Sequence, residues 1–307
     1  PEALLGGRMP IDRDAAAIAM EKLGMRLGLS IEETAAGVIR VVTANMVRTI
    51  RLISVQRGHD PHDYCLLPFG GGGPVHAGRL ARELGINRIL VPRNPGVLCA
   101  LGLLLTDIRR DFSLTRRLEV GPPQLGEIRA AAAGLEADAK NWFEAEGIEP
   151  SRQRMAASAD MRYAGQNYEL NIALPEVADS EEFPRALSDS FNQAYARQYD
   201  YSAPDEAIEI VTFRVEAYGV VEKPKFEVHE AAGDDPSAAL TGWRDVYQPE
   251  TGAYVNCPVY DRDLLAPGNR IAGPAVIEQM DSTTLLLSGQ ICVVDHHLNL
   301  FIREGDE

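Results

Sequence analysis

The chain has 307 residues, of which 45% are hydrophobic and 24% are charged. This composition is typical of a globular protein, and the length predicts two domains or one large one. The formal net charge of −15 excludes general nucleic-acid binding, because an acidic surface repels a phosphate backbone. The longest apolar run, Val97–Leu105, is shorter than the roughly 18 residues of a membrane span. No secretory signal opens the sequence, so we expect a cytoplasmic protein with no membrane partner.

The four cysteines are far apart and include no C-x-x-C pair, which predicts free thiols instead of a zinc knuckle or a disulfide framework. The six histidines form only two short groups, His59/His62 and His296/His297, and we predict no metal site in this chain. The sequence opens on Pro1 without an initiator methionine, which predicts a fragment of a longer protein.

Two helices are predicted at the start. Asp12 is a plausible cap for a helix over residues 12–28, and Ser30 with Glu33 forms a capping box for a second, longer helix. Apolar residues recur on the second helix at steps of three and four, with Arg48 and Arg51 between them. Because exposed charge is the default on such a face, we interpret these arginines as solvated, although a phosphate or base contact is the alternative.

A glycine-rich bend follows a short apolar run. Residues 64–69 read as a buried strand, four glycines (Gly70, Gly71, Gly72 and Gly73) come next, and Pro74 opens a helix that ends at Gly85. Residues 89–91 read as the next strand. This β-loop-α-β order predicts a parallel sheet with helices packed on it.

The character of the sequence changes near residues 112–120, where we place a domain boundary. Residues 1–115 are predicted to be α/β and residues 116–307 to be α+β, with a β-rich cap from about 237. Within the second domain we expect further helices at 124–147 and 180–199 and strands at 154–163, 168–172 and 208–221.

The glycine bend is the candidate binding site. Glycines let a ligand approach the backbone closely, and the helix that starts near Pro74 offers unpaired N–H groups and the positive end of its dipole. Nucleotide binding is therefore chemically sensible. A connection that only tightens strand–helix packing is an equal alternative on the glycines alone. The bend matches neither G-x-G-x-x-G nor the P-loop pattern.

Several motifs in the same order resemble the hydantoinase A/oxoprolinase family. They are Asn45-Met46, Leu67–Ala77, Leu84–Ile86, Val91-Pro92, Pro95–Gly102, Tyr163–Gln166, Tyr201-Ser202 and Gly273–Thr284. The resemblance implies a partial actin-like ATPase subdomain of the Hsp70/sugar-kinase type. In that fold Gly70, Gly71, Gly72, Gly73 and Pro74 would support the base, ribose and α-phosphate of ATP.

Family members also carry an amino-terminal half with an Asp-x-Gly-Gly-Thr phosphate loop, which does not occur in this sequence. The resemblance therefore implies that magnesium and the terminal phosphates are held mainly by that missing half. We expect this chain alone to be inactive, because half a cleft does not align water, metal and γ-phosphate. We name no catalytic residue.

By the same resemblance the function is ATP-dependent activation of a small cyclic amide for ring opening, completed by a hydantoinase B-type subunit in an oligomeric complex. An ATP-using subunit of an acetone or acetophenone carboxylase is the alternative within the enzyme class. A non-catalytic assembly subunit is the alternative outside it, and a sugar kinase acting alone is a third option. His76, Glu278 and the polar run Asp281–Thr284 are interpreted as structural: a core or capping histidine, an isolated carboxylate and a hydrogen-bonded turn.

Overall fold

The computed structural model describes residues 3–175 and 182–305. Its contacts divide the chain into two compact units, one formed by Pro1–Leu104 with Lys225–Glu307 and the other by Leu105–Pro224. This division differs from the predicted one, which separated 1–115 from 116–307. In the structure the carboxyl-terminal strands share a sheet and a core with the first hundred residues.

The described residues of the first unit form both α-helices and strands. The helices are α1 (Arg13–Leu27), α2 (Ile31–Ile53), α3 (Gly73–Leu84) and α4 (Leu98–Leu105, which ends at the boundary), and the early strands are β1 (Ala3–Leu4), β2 (Met9–Pro10) and β3 (Ile89–Val91). The strands numbered β8 to β14 follow after the second unit. These later strands are β8 (Leu240–Gln248), β9 (Ala253–Asp261), β10 (Arg270–Ala272), β11 (Ala275–Gln279), β12 (Ser282–Leu286), β13 (Gln290–Val294) and β14 (Leu300–Glu304). The second unit contains α5 (Leu125–Ala145), α6 (Phe183–Tyr199), β4 (Ile108–Glu119), β5 (Gln153–Tyr163), β6 (Leu170–Ala173) and β7 (Ile208–Gly219).

Two four-stranded sheets form the first unit besides the short β1–β2 hairpin. One has the strand order β10-β13-β14-β3 and the other β12-β11-β9-β8. Strand β3 runs antiparallel to β14, with Leu300 opposite Val91. The parallel pairing predicted around the glycine bend is limited to an isolated bridge between Leu66 and Ile89, and β3 otherwise completes an antiparallel sheet made by the end of the chain. The parallel strand pair described in this unit is β9 with β11.

A shared apolar core explains this arrangement. Val47 of α2, Leu80 and Leu84 of α3, Val91 of β3 and Leu300 of β14 are all buried in one cluster. Residues from both ends of the chain thus lose their exposed apolar surface together, which is the dominant favourable term in folding. The β-rich segment is accordingly part of this core and does not form a separate cap.

The second unit is an antiparallel sheet, in the order β4-β7-β5-β6, covered by helices α5 and α6. Alternation along β7 buries Ile208 and Ile210 against that cover and, after a register shift, Phe213, Val215 and Ala217. The helix predicted at 180–199 is observed over Phe183–Tyr199, while residues 180 and 181 lie outside the described residues. Among the described residues, no helix is both long and apolar enough to cross a lipid bilayer.

Both predicted helix caps at the start are confirmed. The Asp12 carboxylate accepts a hydrogen bond from the Ala15 N–H at 2.8 Å, and Ser30 and Glu33 exchange the two hydrogen bonds of a capping box. These contacts fix where α1 and α2 begin, because they satisfy N–H groups that have no partner inside a helix.

Candidate functional site

The chain enters the glycine bend without a regular strand. Residues 64–69 were predicted to form one, but only Leu66 pairs, in an isolated parallel bridge to Ile89. Its N–H donates to the Arg88 carbonyl at 2.9 Å and its carbonyl accepts from the Leu90 N–H at 2.9 Å. Pro68 has no N–H with which to extend the pairing, so the strand prediction is wrong beyond this bridge.

The bend itself starts with a conformation that favours glycine. Gly70 has φ of +79°, and its N–H donates to the Pro95 carbonyl at 2.8 Å. Gly72 is the N-cap of α3, and the helix begins at Gly73 with Pro74 in its first turn. Pro74 fits there because the first N–H groups of a helix have no intrahelical partner to lose. The bend is therefore held at its start and delivers the chain directly into a helix N-terminus.

Gly71 and Gly72 differ in how much free space lies beside their Cα atoms. Both are exposed. A Cβ on Gly71 would lie 3.2 Å from the Asp281 carbonyl oxygen, whereas a Cβ on Gly72 would meet no atom within 4 Å. The absence of side chains thus leaves the backbone of the bend accessible, as close approach by a ligand requires.

The turn between β11 and β12 packs against this bend. The Ser282 hydroxyl donates to the Gly71 carbonyl at 3.1 Å, and Ser282 is buried. The Gln279 amide donates to the Asp281 carboxylate at 2.8 Å and to the Arg93 carbonyl at 3.4 Å. A Cβ on Gly96 would collide with the same Asp281 carboxylate. This turn is therefore the neighbouring wall of the site, more than 200 residues away in sequence.

A groove of about 860 Å³ opens beside these elements, and we call it the glycine groove. Its acidic lining residues are Asp261, Asp263, Glu278 and Asp281, and the Glu278 carboxylate is paired with Arg244 at 2.6 Å. Within the described residues, no lysine or arginine lines it. Carboxylates and backbone groups can hydrogen-bond the hydroxyls of a ribose or the amino group of a base. Without a lining lysine or arginine, the described part of the groove offers no charge-assisted hydrogen bond to an anionic group.

Three residues noted from the sequence lie elsewhere. Arg48 and Arg51 are exposed on α2 and line a second cavity of about 1150 Å³. His76 lies on α3 and does not line the glycine groove. Burial, followed by the nearby Arg79 charge, lowers the pKa of His76 below its ordinary value, so its imidazole is neutral at pH 7.

Possible metal ligands are dispersed in the part of the chain that the structure covers. Over residues 3–175 and 182–305 there is no group of three or more His, Cys, Asp or Glu side chains placed to hold a metal ion. All four cysteines are free; Cys65 and Cys99 are exposed, and Cys257 and Cys292 are buried. Burial raises the pKa of the Cys292 thiol to about 12, which makes it unreactive at neutral pH.

Two family descriptions match the chain in succession. Residues 1–112 match the hydantoinase/oxoprolinase description, and residues 123–304 match the hydantoinase/oxoprolinase C-terminal domain. The chain belongs to the hydantoinase/oxoprolinase family. The resemblance read from the sequence motifs is thereby confirmed.

Relatives within the family include a characterised lactamase subunit and two solved structures. The chain is 31% identical to the caprolactamase subunit alpha of Pseudomonas jessenii over 94% of its own length and 42% of the relative's. A nucleotide-free acetone carboxylase, solved in a study of ATP-dependent acetone carboxylation, superposes with a TM-score of 0.86 at 27% identity, covering 99% of this chain and 44% of the other. The ATP-dependent caprolactamase of Pseudomonas jessenii gives 0.77 at 29% identity, covering 100% and 45%. The chain thus spans less than half the length of these relatives.

The sequence did not predict that the β11–β12 turn of this hydantoinase/oxoprolinase chain packs against the glycine bend. Asp281 and Ser282 were interpreted as a turn without a role at the site, yet they contact Gly71 directly. The motif Gly273–Thr284 had been noted as a family resemblance, but nothing in its own residues showed that it packs on the bend. Only the tertiary structure brings the two motifs together.

Proposed function

We propose that this chain supplies the carboxyl-terminal part of an ATP-using subunit that activates a small cyclic amide for ring opening. The observation that carries the proposal is the open groove beside the exposed, side-chain-free bend at the N-terminus of α3. Membership of the hydantoinase/oxoprolinase family and the similarity to an ATP-dependent caprolactamase support it.

In this proposal residues 1–104, together with the carboxyl-terminal strands that share their core, belong to an actin-like nucleotide-binding domain. Gly70, Gly71, Gly72, Gly73 and Pro74 receive the base, ribose and α-phosphate, with Ser282 holding the Gly71 carbonyl in place. The first-turn N–H groups of α3 add the positive end of a helix dipole next to the α-phosphate. By the family resemblance, magnesium and the terminal phosphates would be held mainly by the amino-terminal half. Within the described residues, no lysine or arginine lines the glycine groove to pair with those phosphates.

ATP would transfer its γ-phosphoryl group to the amide oxygen and release ADP. One water would then add to the carbon, the ring C–N bond would break as the amine takes up a proton, and a second water would hydrolyse the resulting acyl phosphate to carboxylate and phosphate. This activation suits a lactam, whose carbonyl is a poor electrophile and whose amine is a poor leaving group. The residues of this chain hold the nucleoside and exclude water from one side of it. A second subunit of the hydantoinase B type would complete the reaction in a heteromeric, cytoplasmic complex. The relative's description as a subunit alpha supports such an assembly.

A carboxylase function is the second candidate. The superposition on acetone carboxylase has the higher TM-score, 0.86 against 0.77 for caprolactamase. In that case the same groove would bind the same nucleotide, and the activated oxygen would belong to a ketone. Product analysis of the assembled complex, with a lactam or with acetone and bicarbonate, separates the two.

The proposal is tested by calorimetry of ADP and ATP binding to this chain alone and to the chain joined with its amino-terminal half. We expect saturable binding only when both halves are present, because each contributes one wall of the cleft. A complete subunit that binds neither nucleotide would contradict the proposal.

A further inference from the structure

A second groove lies on the far half of α3, bounded by α2, by the turn between β8 and β9, and by Leu287. Its volume is about 1150 Å³, and we call it the arginine groove. It shares no lining residue with the glycine groove. The proposed nucleotide function therefore makes no use of it.

Charge distinguishes this groove from the rest of an acidic protein. Five arginines and two glutamates line it. Two of the arginines are compensated: Arg79 pairs with Glu250 at 2.8 Å, and Arg82 pairs with Glu304 at 2.9 Å. These pairs fix the α3 side of the groove, and the Arg79 side chain is only 13% exposed.

The α2 side carries charge without compensation. Among the described residues, Arg40 and Arg48 have no hydrogen-bond or ion-pair partner. Arg51 donates to the Glu83 backbone carbonyl at 3.2 Å, which leaves its positive charge unpaired. At about 100° per residue, positions 40, 48 and 51 lie on one face of a helix. Three cationic groups that keep their charge at any physiological pH thus point along one wall.

Apolar residues and one hydroxyl form the floor between these arginines. Val47 and Leu287 are buried and Leu52 is exposed, and all three line the groove. Thr43 also lines it, is 6% exposed, and its buried hydroxyl has no hydrogen-bond partner. The floor between the charged groups is therefore largely apolar, which suits a ligand with an apolar body.

We propose that the arginine groove binds a small amphipathic anion, with its carboxylate, phosphate or sulfonate on Arg40 and Arg48 and its apolar body over Val47, Leu52 and Leu287. Guanidinium groups are suited to such head groups because they donate paired N–H groups to planar or tetrahedral oxyanions.

The test uses two fluorescent probes on the complete subunit. The dye 8-anilinonaphthalene-1-sulfonate has an apolar body and one anionic head, and N-phenyl-1-naphthylamine has the same body without the head. We expect one saturable site for the sulfonate. Its affinity should fall roughly tenfold or more in the Arg40→Gln/Arg48→Gln variant, because hydrogen bonds to charged groups are among the strong ones. The uncharged probe should change less than about twofold, since it cannot use them.

Matched variants distinguish binding in the arginine groove from binding elsewhere on the protein surface. Arg270→Gln removes the same charge from an exposed position on β10 and should leave the sulfonate affinity unchanged. Arg40→Lys/Arg48→Lys keeps both charges and should restore most of it. Three outcomes would each overturn the proposal. The Gln variant could bind the sulfonate as well as the wild type does, or the uncharged probe could lose as much affinity as the sulfonate. The complete subunit could also show no saturable site because other residues cover the groove.

Discussion

The two grooves of the first unit lie at opposite ends of one helix and differ in how they can recognise a ligand. The glycine groove begins at the N-terminus of α3 and offers backbone, carboxylates and a helix dipole. The arginine groove lies along the later turns of α3 and offers guanidinium groups over apolar side chains. One is defined by side chains that are absent, and the other by side chains that are present.

This difference predicts opposite responses to substitution. A site made from bare backbone is destroyed by added volume and is insensitive to the loss of surface charge. A site made from arginines loses affinity when charge is removed or screened, since salt weakens interactions between exposed charges. Variants that add one methyl group and variants that remove one charge therefore distinguish the two grooves.

The largest effect is expected from Gly71→Val. A Cβ at this position already lies 3.2 Å from the Asp281 carbonyl oxygen, and the two further methyl groups of valine would occupy the space beside the bend. We expect nucleotide affinity of the complete subunit to fall at least about tenfold, or roughly 1.4 kcal/mol, when it is measured by calorimetry. Binding of the anionic dye in the arginine groove should not change.

Gly134→Val is the control for this variant. Gly134 lies on α5 in the second unit, and a Cβ there meets no atom within 4 Å. Equal loss of nucleotide binding in both variants would show that valine acts through general stability. Normal binding by Gly71→Val would remove the bend from the proposed site.

A smaller effect is expected from Gly96→Ala, which adds one methyl group behind the wall of the glycine groove. The new Cβ would collide with the Asp281 carboxylate, so the β11–β12 turn must shift. Overpacking of this kind typically costs about 1–3 kcal/mol of stability. Urea unfolding measures that cost, with Gly126→Ala on α5 as a matched change into open space. Undiminished stability together with undiminished nucleotide affinity would contradict the close approach of the Asp281 carboxylate to Gly96.

Local sequence patterns predicted much of the fold but little of the candidate site. The capping box of Ser30 and Glu33 and the alternation along β7 depend on residues within a few positions of each other, and both are found. The strand predicted at 64–69 failed because an apolar run does not specify whether a partner strand is available. Here only Leu66 has one.

Long-range contacts explain the other features of the structure that the sequence did not predict. Strand β3 joins β14 across more than 200 residues, and the Gly71 carbonyl accepts a hydrogen bond from Ser282 over a similar separation. Neither contact leaves a periodic pattern in the sequence near the bend. The arginines of α2 were interpreted from the sequence as solvated, and the groove that they share depends on α3 and Glu250.

A modest effect is expected from Ser282→Ala, which removes the hydrogen bond to the Gly71 carbonyl without adding volume. Loss of one neutral hydrogen bond typically costs about 0.5–1.5 kcal/mol. The melting temperature should therefore fall slightly, and nucleotide affinity should fall with it because the bend is less firmly held. Ser288→Ala, at an exposed position, is the comparison. A Ser282→Ala variant indistinguishable from it in both measurements would make the hydrogen bond irrelevant to the site.

The smallest expected effect is on acid stability and concerns the Arg82–Glu304 pair at the edge of the arginine groove. The hydrogen bond from Arg82 holds the pKa of Glu304 below the ordinary value of 4.5, with a further contribution from Gln290. A carboxylate whose pKa is lower in the folded state contributes stability above its unfolded pKa, and this contribution is lost as pH falls through the folded value. Stability should thus decline below about pH 4.5, and Glu304→Gln should flatten that decline, whereas Glu21→Gln on the exposed face of α1 should not. Melting curves recorded between about pH 3 and pH 7 measure this decline in stability. Identical acid profiles for the wild type and Glu304→Gln would mean that the α3 wall of the arginine groove does not depend on the Arg82–Glu304 pair.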